Sequence, residues 1–313
     1  MSQASRAVID MGTNTFHLLI GKAYPNKIEV EWNEKVAVGL GKGGINDGRI
    51  TPDAMERALK AIRFFKEKTQ EFNIPDDHVL ITGTSAVRNA KNNWELITKI
   101  KVETGWKVQV LDGDTEAAFI YRGVLKAMDM PLQKVLVMDI GGGSVEFIIG
   151  EGEKIIWKQS FEIGGQRLVE LFHKSDPIQP SEIESLQYYL EEKLSPLAHA
   201  IFQHQPQVFI GSSGSFDTLA EMNMAYHQQH MHLEDITSYR LSMIDYERIS
   251  SDLIHATRAE RMSMPGMIPL RVDMIVAAMV LLNYIVDLMN PNEILVSTYA
   301  LKEGLMYWEE RRS

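Results

Sequence analysis

The chain has no cysteine among its 313 residues, which excludes disulfides, thiolate nucleophiles and cysteine-ligated metal centres and is compatible with a reducing compartment. It also has no run of Lys or Arg. Its 32 basic residues are dispersed and outnumbered by 42 acidic ones, for a formal net charge of −10. No nucleic-acid or membrane partner is therefore expected, and a polyanionic ligand would have to be met locally by backbone N–H groups, a few basic side chains and metal ions. The N-terminal MSQASRAVID has no apolar stretch of signal-peptide length. The most apolar long segment, Met274 to Met289, is too short for a confident membrane span, carries Asp287 and abuts Asp273, so it reads as a buried helix. These absences make a cytoplasmic protein the expectation. Against them stands a hydrophobic content of 45%, enough for two cores of ordinary size.

One stretch is nearly written twice. VMDIGGGSVEFIIG, from Val137 to Gly150, matches VIDMGTNTFHLLIG, from Val8 to Gly21: an apolar pair, Asp, an apolar residue, Gly, a small polar turn, then an apolar run closing on Gly. The surrounding pattern alternates strand-like and helix-like segments, the mark of an α/β layer architecture. Thr51-Pro52-Asp53 opens a helix with Met55, Leu59, Ile62 and Phe65 at three- and four-residue intervals. Trp106 to Leu111 reads as a strand, and Asp112-Gly113-Asp114-Thr115 as the cap of a helix starting near Glu116. Ser181 to Phe202 reads as one helix that Pro196 could kink. No low-complexity linker divides the halves. The expected boundary falls on a helical crossover, giving a first domain of residues 1–125 with 300–313 and a second of 126–299.

Four strand exits suit an oxyanion. In IDMGTN and MDIGGGS a strand ends on Asp10 or Asp139 and turns through small residues, so that backbone N–H groups can surround phosphate oxygens while the Asp reaches a metal or its water. Each alone could be an ordinary hairpin turn; two at matching places in two halves favour function. FIGSSGSF leaves a strand through Gly211 to Gly214 into a helix start, where a simple Ser cap explains the same letters. ITGTSAVRN places Arg88 one turn after Thr84 and Ser85, and Arg is suited to bidentate phosphate contact. Together they read as a phosphate cleft.

AVIDMGTNTFHLLI, TGTSAVRNA, DGDTEAAFIYRGV, VMDIGGGSVEFIIG and IGSSGSFDTLAE resemble, in order and spacing, the successive motifs of the exopolyphosphatase and guanosine pentaphosphate phosphatase (Ppx/GppA) family, within the actin, heat-shock-chaperone and sugar-kinase superfamily. The resemblance covers almost the whole chain. It implies an α/β fold of two duplicated ribonuclease H-like (actin-like ATPase) domains with an interdomain cleft, in a short form without an extra C-terminal helical domain. It implies that Asp10, Gly12, Thr13 and Asn14 form the first phosphate and metal loop, and Asp139 with Gly141, Gly142, Gly143 and Ser144 the second. Thr84, Ser85 and Arg88 would line the phosphate path, and Gly211, Ser212, Ser213 and Gly214 would meet the distal part of the ligand. Glu116 would orient or deprotonate the attacking water, and Glu146 would join Asp10 and Asp139 in holding a metal or its water. Mg²⁺ is the expected ion, since the site offers carboxylates and substrate oxygens. A homodimer is the family expectation. Where relatives carry an Arg before a glycine loop, this chain reads VAVGLGKGG, with Ala37 at that place and Lys42 as a candidate substitute.

The remaining candidates are weaker. His227, His230 and His232 match no tight metal-ligand spacing, and His17 reads as a packed strand residue. Arg271 and Asp273 are expected to form an ion pair near the cleft mouth. The expected activity is metal-dependent release of terminal phosphate from inorganic polyphosphate. Hydrolysis of guanosine pentaphosphate to tetraphosphate is the alternative, and a non-catalytic phosphate or nucleotide sensor on the same fold is a second.

Overall fold

The structure is a computed structural model, and it describes residues 4–25 and 27–308. Residues 309–313, the end of the expected first domain, lie outside the described residues, as do residues 1–3. The chain divides into two compact units, 1–126 with 301–313, and 127–300.

The first unit runs β1 (Arg6–Met11), β2 (Thr15–Tyr24), β3 (Lys27–Ala37), α1 (Pro52–Glu71), β4 (Val79–Gly83), α2 (Ser85–Asn89), α3 (Asn93–Thr104), β5 (Gln109–Val110) and α4 (Gly113–Ala127). Its sheet order is β3-β2-β1-β4-β5, with β1 antiparallel to β2 and parallel to β4. The side chain of Thr51 accepts from the backbone N–H of Ala54, Pro52 occupies the first turn, and Met55, Leu59, Ile62 and Phe65 are buried. Capping and one apolar stripe thus fix where α1 starts and which face it buries. The strand expected over Trp106 to Leu111 pairs only at Gln109 and Val110, opposite Thr82 and Gly83 at the end of β4. Trp106 is instead held by its indole N–H, which donates to Asp76 Oδ1 at 3.0 Å.

The second unit runs β6 (Val135–Ile140), β7 (Val145–Glu151), β8 (Lys154–Phe161), α5 (Gly165–Phe172), α6 (Pro180–Lys193), α7 (Ser195–His204), β9 (Val208–Ser212), α8 (Gly214–Tyr226), β10 (Ser238–Ser242), α9 (Met243–His255), α10 (Arg258–Ser263), α11 (Ile275–Met289) and β11 (Glu293–Ser297). Its order is β10-β11-β9-β6-β7-β8. Without the edge strand β10, five strands repeat the connectivity of the first unit. The repetition extends to an irregularity: the register shifts between Ile20 and Gly21 where β2 meets β3, and between Ile149 and Gly150 where β7 meets β8. The glycine that closes each copy of the repeated stretch is thus the bulge position. A Cβ on Gly21 would lie 2.3 Å from the carbonyl oxygen of Glu29.

Pro196 does not kink one helix but separates two. The α6 helix ends before Leu194, and Pro196 falls in the first turn of α7, where a missing N–H is tolerated. The α11 helix is buried from Ile275 to Leu282 and stops at Asn290 in the left-handed conformation. Among the described residues no helix is long and apolar enough to cross a membrane. Finally α12 (Leu301–Leu305) packs in the first unit: Arg6 donates to the carbonyls of Met306 and Trp308, and Tyr307 to that of Tyr24.

The loop before α6 is fastened by Glu182. Partial burial works to raise its pKa, but the backbone N–H of Gln179, the Ser175 hydroxyl and the N–H groups of Lys174 and Ser175 overcome this and bring it from 4.5 down to about 2. A depressed carboxyl stabilises the fold fully above its unfolded value and loses that contribution as pH falls through the folded one. Glu182→Gln is accordingly expected to lower the unfolding temperature at pH 7 and to flatten the loss of stability between pH 4.5 and about 2. Thermal melts across that range that superpose for variant and wild type would refute the assignment.

Candidate functional site

Each unit gathers its polar residues at the carboxyl ends of its parallel strands, the edge where open α/β sheets bind ligands. In the first unit these are Asp10 and the loop Gly12 to Asn14 after β1, Thr84, Ser85 and Arg88 after β4, and Asp112 to Glu116 after β5. The Thr84 hydroxyl donates to the carbonyl of Met11 at 3.4 Å, tying the β4 exit to the first loop. Asp112 caps α4, accepting from the N–H of Thr115 at 2.7 Å and from its hydroxyl at 2.9 Å. That cap fixes the backbone of Glu116, which is only 5% exposed. Arg88 Nη1 donates to Glu116 Oε2 at 2.7 Å and to the carbonyl of Leu111 at 3.0 Å. The structure therefore joins Arg88 and Glu116, separate motifs in the sequence, into one charge-assisted pair.

In the second unit Asp139 is the penultimate residue of β6, Gly141 to Ser144 follow the strand, and Gly211 to Gly214 span the exit of β9. Asp139 Oδ2 accepts from the hydroxyls of Ser212 at 2.8 Å and Ser213 at 2.7 Å. Burial pushes its pKa up, while those two hydroxyls hold it down. Ser212 and Ser213, expected to meet ligand, direct their side chains to this carboxylate.

Strand register explains which residues accompany each Asp. Asp139 faces Glu146 across β6 and β7, and Glu146 faces Ser160 on β8, whose hydroxyl donates to it at 2.6 Å. In the first unit Asp10 faces His17, and His17 faces Lys35. The position of Glu146 is thus held by His17 in the other copy, where Thr15 Oγ1 is 2.9 Å from His17 Nε2. No group of three or more His, Asp or Glu that could hold a metal ion occurs among the described residues. Asp139 and Glu146 are hard oxygen donors on one face of a hairpin, and that set suits Mg²⁺, which keeps waters and takes substrate phosphate oxygens rather than needing a protein cage.

The two loops are built alike. The N–H of Gly12 donates to the carbonyl of Thr15 at 3.1 Å, and that of Gly141 to Ser144 at 3.0 Å. Each loop is backed by a second glycine segment. Behind the first, the N–H groups of Val38 and Gly39 donate to Asn14 O and that of Gly41 to Thr13 O, while Arg57 Nε holds the carbonyl of Val38 at 2.6 Å. Behind the second, the N–H groups of Gly164, Gly165 and Gln166 donate to the carbonyls of Gly143, Gly141 and Gly142, and Arg167 Nε donates to Gly143 O at 2.8 Å. With these carbonyls turned to the backing segment, the N–H groups of Gly142 and Gly143 bond to nothing among the described residues. Two adjacent amide dipoles without an acceptor among those residues are suited to an anion. Val38, Gly39 and Gly41 of VAVGLGKGG therefore serve as this backing. The exposed Lys42 lies within that segment, and Ala37 pairs with Thr15 at the end of β3.

Two features escaped the sequence. Gly164 and Arg167 stand in an unremarkable GGQR, and only the tertiary contacts show that they hold a loop more than twenty residues away. Arg271 does not pair with Asp273, whose Oδ1 binds Arg258 Nε at 2.6 Å. It is instead buried, with its guanidinium so close to Gly214 that a Cβ there would lie 2.1 Å from Nη2. Burial lowers its pKa, and Asp217 and Asp139 counter this. The arrangement R-x-D suggested the nearest carboxylate, but Arg271 closes the 3₁₀ turn Pro269–Arg271, Asp273 lies beyond it, and their side chains meet different elements. The histidines form no metal set; His227 binds Asp245 Oδ1 at 2.9 Å.

The fold defines a two-unit ribonuclease H-like (actin-like) protein with a glycine-containing turn after the first strand of each unit. The model of the Ppx/GppA phosphatase family matches residues 20–313, and the chain belongs to that family. It is 49% identical to an exopolyphosphatase from Cytophaga hutchinsonii, with 97% of each chain covered and a TM-score of 0.93. It is 25% identical to the Ppx/GppA family member of Aquifex aeolicus, covering 96% of each chain with a TM-score of 0.80.

Proposed function

We propose that this phosphatase is an exopolyphosphatase that hydrolyses the terminal phosphoanhydride bond of inorganic polyphosphate. The observation that carries the reading is the buried Glu116, fixed at the first turn of α4 and oriented by Arg88. Likeness to the Cytophaga hutchinsonii exopolyphosphatase supports the choice of substrate. Phosphoryl transfer needs positioning and charge neutralisation more than covalent chemistry. The N–H groups of Gly142 and Gly143 would take phosphate oxygens in the second unit and the Thr13-Asn14 turn would do so in the first, with Thr84, Ser85 and Arg88 along the phosphate path. Glu116 would align a water with the terminal phosphorus and accept its proton. One P–O bond forms to the water oxygen as the bridging P–O bond breaks, and the electron pair stays with the shortened chain, so that orthophosphate leaves. Asp139 and Glu146, cross-strand neighbours in the second unit, would offer oxygens to Mg²⁺ or another divalent cation, which when bound neutralises the phosphate charge.

The family name joins two substrates, and guanosine pentaphosphate is the competing one. Orthophosphate release from long-chain polyphosphate and from guanosine pentaphosphate, measured side by side with Mg²⁺, tests the reading. Faster turnover of polyphosphate is expected. Preference for the nucleotide would transfer the activity to that substrate, and failure on both, with binding retained, would leave a phosphate sensor.

A further inference from the structure

Five described residues other than glycine have positive φ, and four of them follow or end helices: Asn73, Gln205, Gln228 and Asn290. The fifth, Ser213, precedes one, with φ 70° and ψ 175° at the start of α8. That combination is a region essentially reserved for glycine, because a Cβ there crowds the flanking backbone. Glycines stand on either side of the pair Ser212-Ser213, each with its own steric reason. A Cβ on Gly211 would fall 2.0 Å from the Phe216 ring, and one on Gly214 within 2.3 Å of the Arg271 guanidinium. At 213 a serine is kept where glycine would be easier.

Its hydroxyl has a use. Ser213 Oγ donates to Asp139 Oδ2 at 2.7 Å, beside Ser212 Oγ at 2.8 Å. Both donors address one oxygen, and among the described residues no group donates to Oδ1. The carboxylate is thereby pinned in rotation with Oδ1 as its remaining acceptor. The duplicated unit offers a comparison. By register Ser212 corresponds to Thr82, so Ser213 corresponds to Gly83, which supplies no hydroxyl and has no left-handed backbone.

We propose that Ser213 is a positioning residue for Asp139, and that its strained backbone is maintained because only there does the hydroxyl reach Oδ2. The inference rests on the reading of Asp139 as part of the phosphohydrolase site. Strain at a positioning residue separates stability from activity, since removal of the side chain can relax the backbone while freeing the carboxylate.

Two variants test this. Ser213→Gly and Ser213→Ala both delete the hydroxyl, but only glycine relaxes φ. Ser213→Gly is expected to unfold at a higher temperature than Ser213→Ala. Both should lose kcat for orthophosphate release to a similar extent, on the order of 10²-fold for a misplaced group. Crystal structures of wild type and Ser213→Gly should show Asp139 leaving its single orientation. Activity that tracks stability across the two variants would mean a merely structural serine, and kcat equal to wild type in both would overturn the proposal while leaving the phosphatase reading intact. A wild type that hydrolyses neither substrate would overturn that reading instead. The unfolding order and the Asp139 orientation would then decide Ser213 independently: Gly no more stable than Ala, or an unmoved carboxylate, would refute it.

Discussion

Glu116→Gln is expected to slow orthophosphate release by about 10² to 10⁴-fold, the range that a positioned general base contributes, while polyphosphate binding persists. Glutamine has the same shape and still offers an oxygen to Arg88 Nη1, which lies 2.7 Å from Glu116 Oε2. The helix cap at Asp112 is untouched. What is lost is the capacity to take a proton and the counter-charge of a pair whose side chains are 16% and 7% exposed. Removing one partner of a buried pair costs stability, so the melting temperature should fall alongside. Single-turnover phosphate release together with equilibrium binding of labelled polyphosphate separates these effects. A variant that binds and hydrolyses like wild type would remove Glu116 from the reaction; one that fails to bind would make it a ligand contact.

Gly164→Ala should be comparably severe for a different reason. A Cβ at 164 would lie 2.4 Å from Gly142 C and Gly143 N and 2.5 Å from Gly143 C. These are backbone atoms, with no rotamer to move into, so the Gly141–Ser144 loop itself must shift. The shift would strain the bonds from the N–H groups of Gly164, Gly165 and Gln166 to the carbonyls of Gly143, Gly141 and Gly142. A displacement of about 1 Å at a binding loop can cost on the order of 10²-fold in rate. The neighbouring residue is the control. A Cβ on Gly165 would meet Met274 Cβ at 3.5 Å, an ordinary contact, and alanine keeps the N–H that binds Gly141 O. Gly165→Ala should therefore retain most activity and differ in stability by less than about 1 kcal/mol. Equal kcat/KM for the two variants would show that the backing of the second loop does not govern its geometry.

Both predictions come from residues of different legibility. Glu116 could be found from its place after a DGDT cap, because capping is local and the motif resembles that of a known family. Gly164 could not. The letters GGQR fit any helix start, and their importance arises from three carbonyls contributed by a distant turn. Arg271 shows the same limit from the other side: its near neighbour Asp273 seemed its partner, yet the fold sends one side chain to Gly214 and the other to Arg258.

The sequence by itself determined the duplication, the α/β character, the carboxylates near the ends of β1 and β6, and the glycine turns after them. Those features rest on local physics: short continuous apolar runs, turn residues, and the steric demand at Gly12 and Gly141, where a Cβ would come within 2.9 Å of the carbonyl across the turn. Tertiary structure alone decided what holds those turns. It bonded their carbonyls to backing segments, directed Ser212 and Ser213 onto Asp139 and joined Arg88 to Glu116. Such contacts depend on strand order and register, which bring together residues far apart in the chain, and no local pattern encodes that separation.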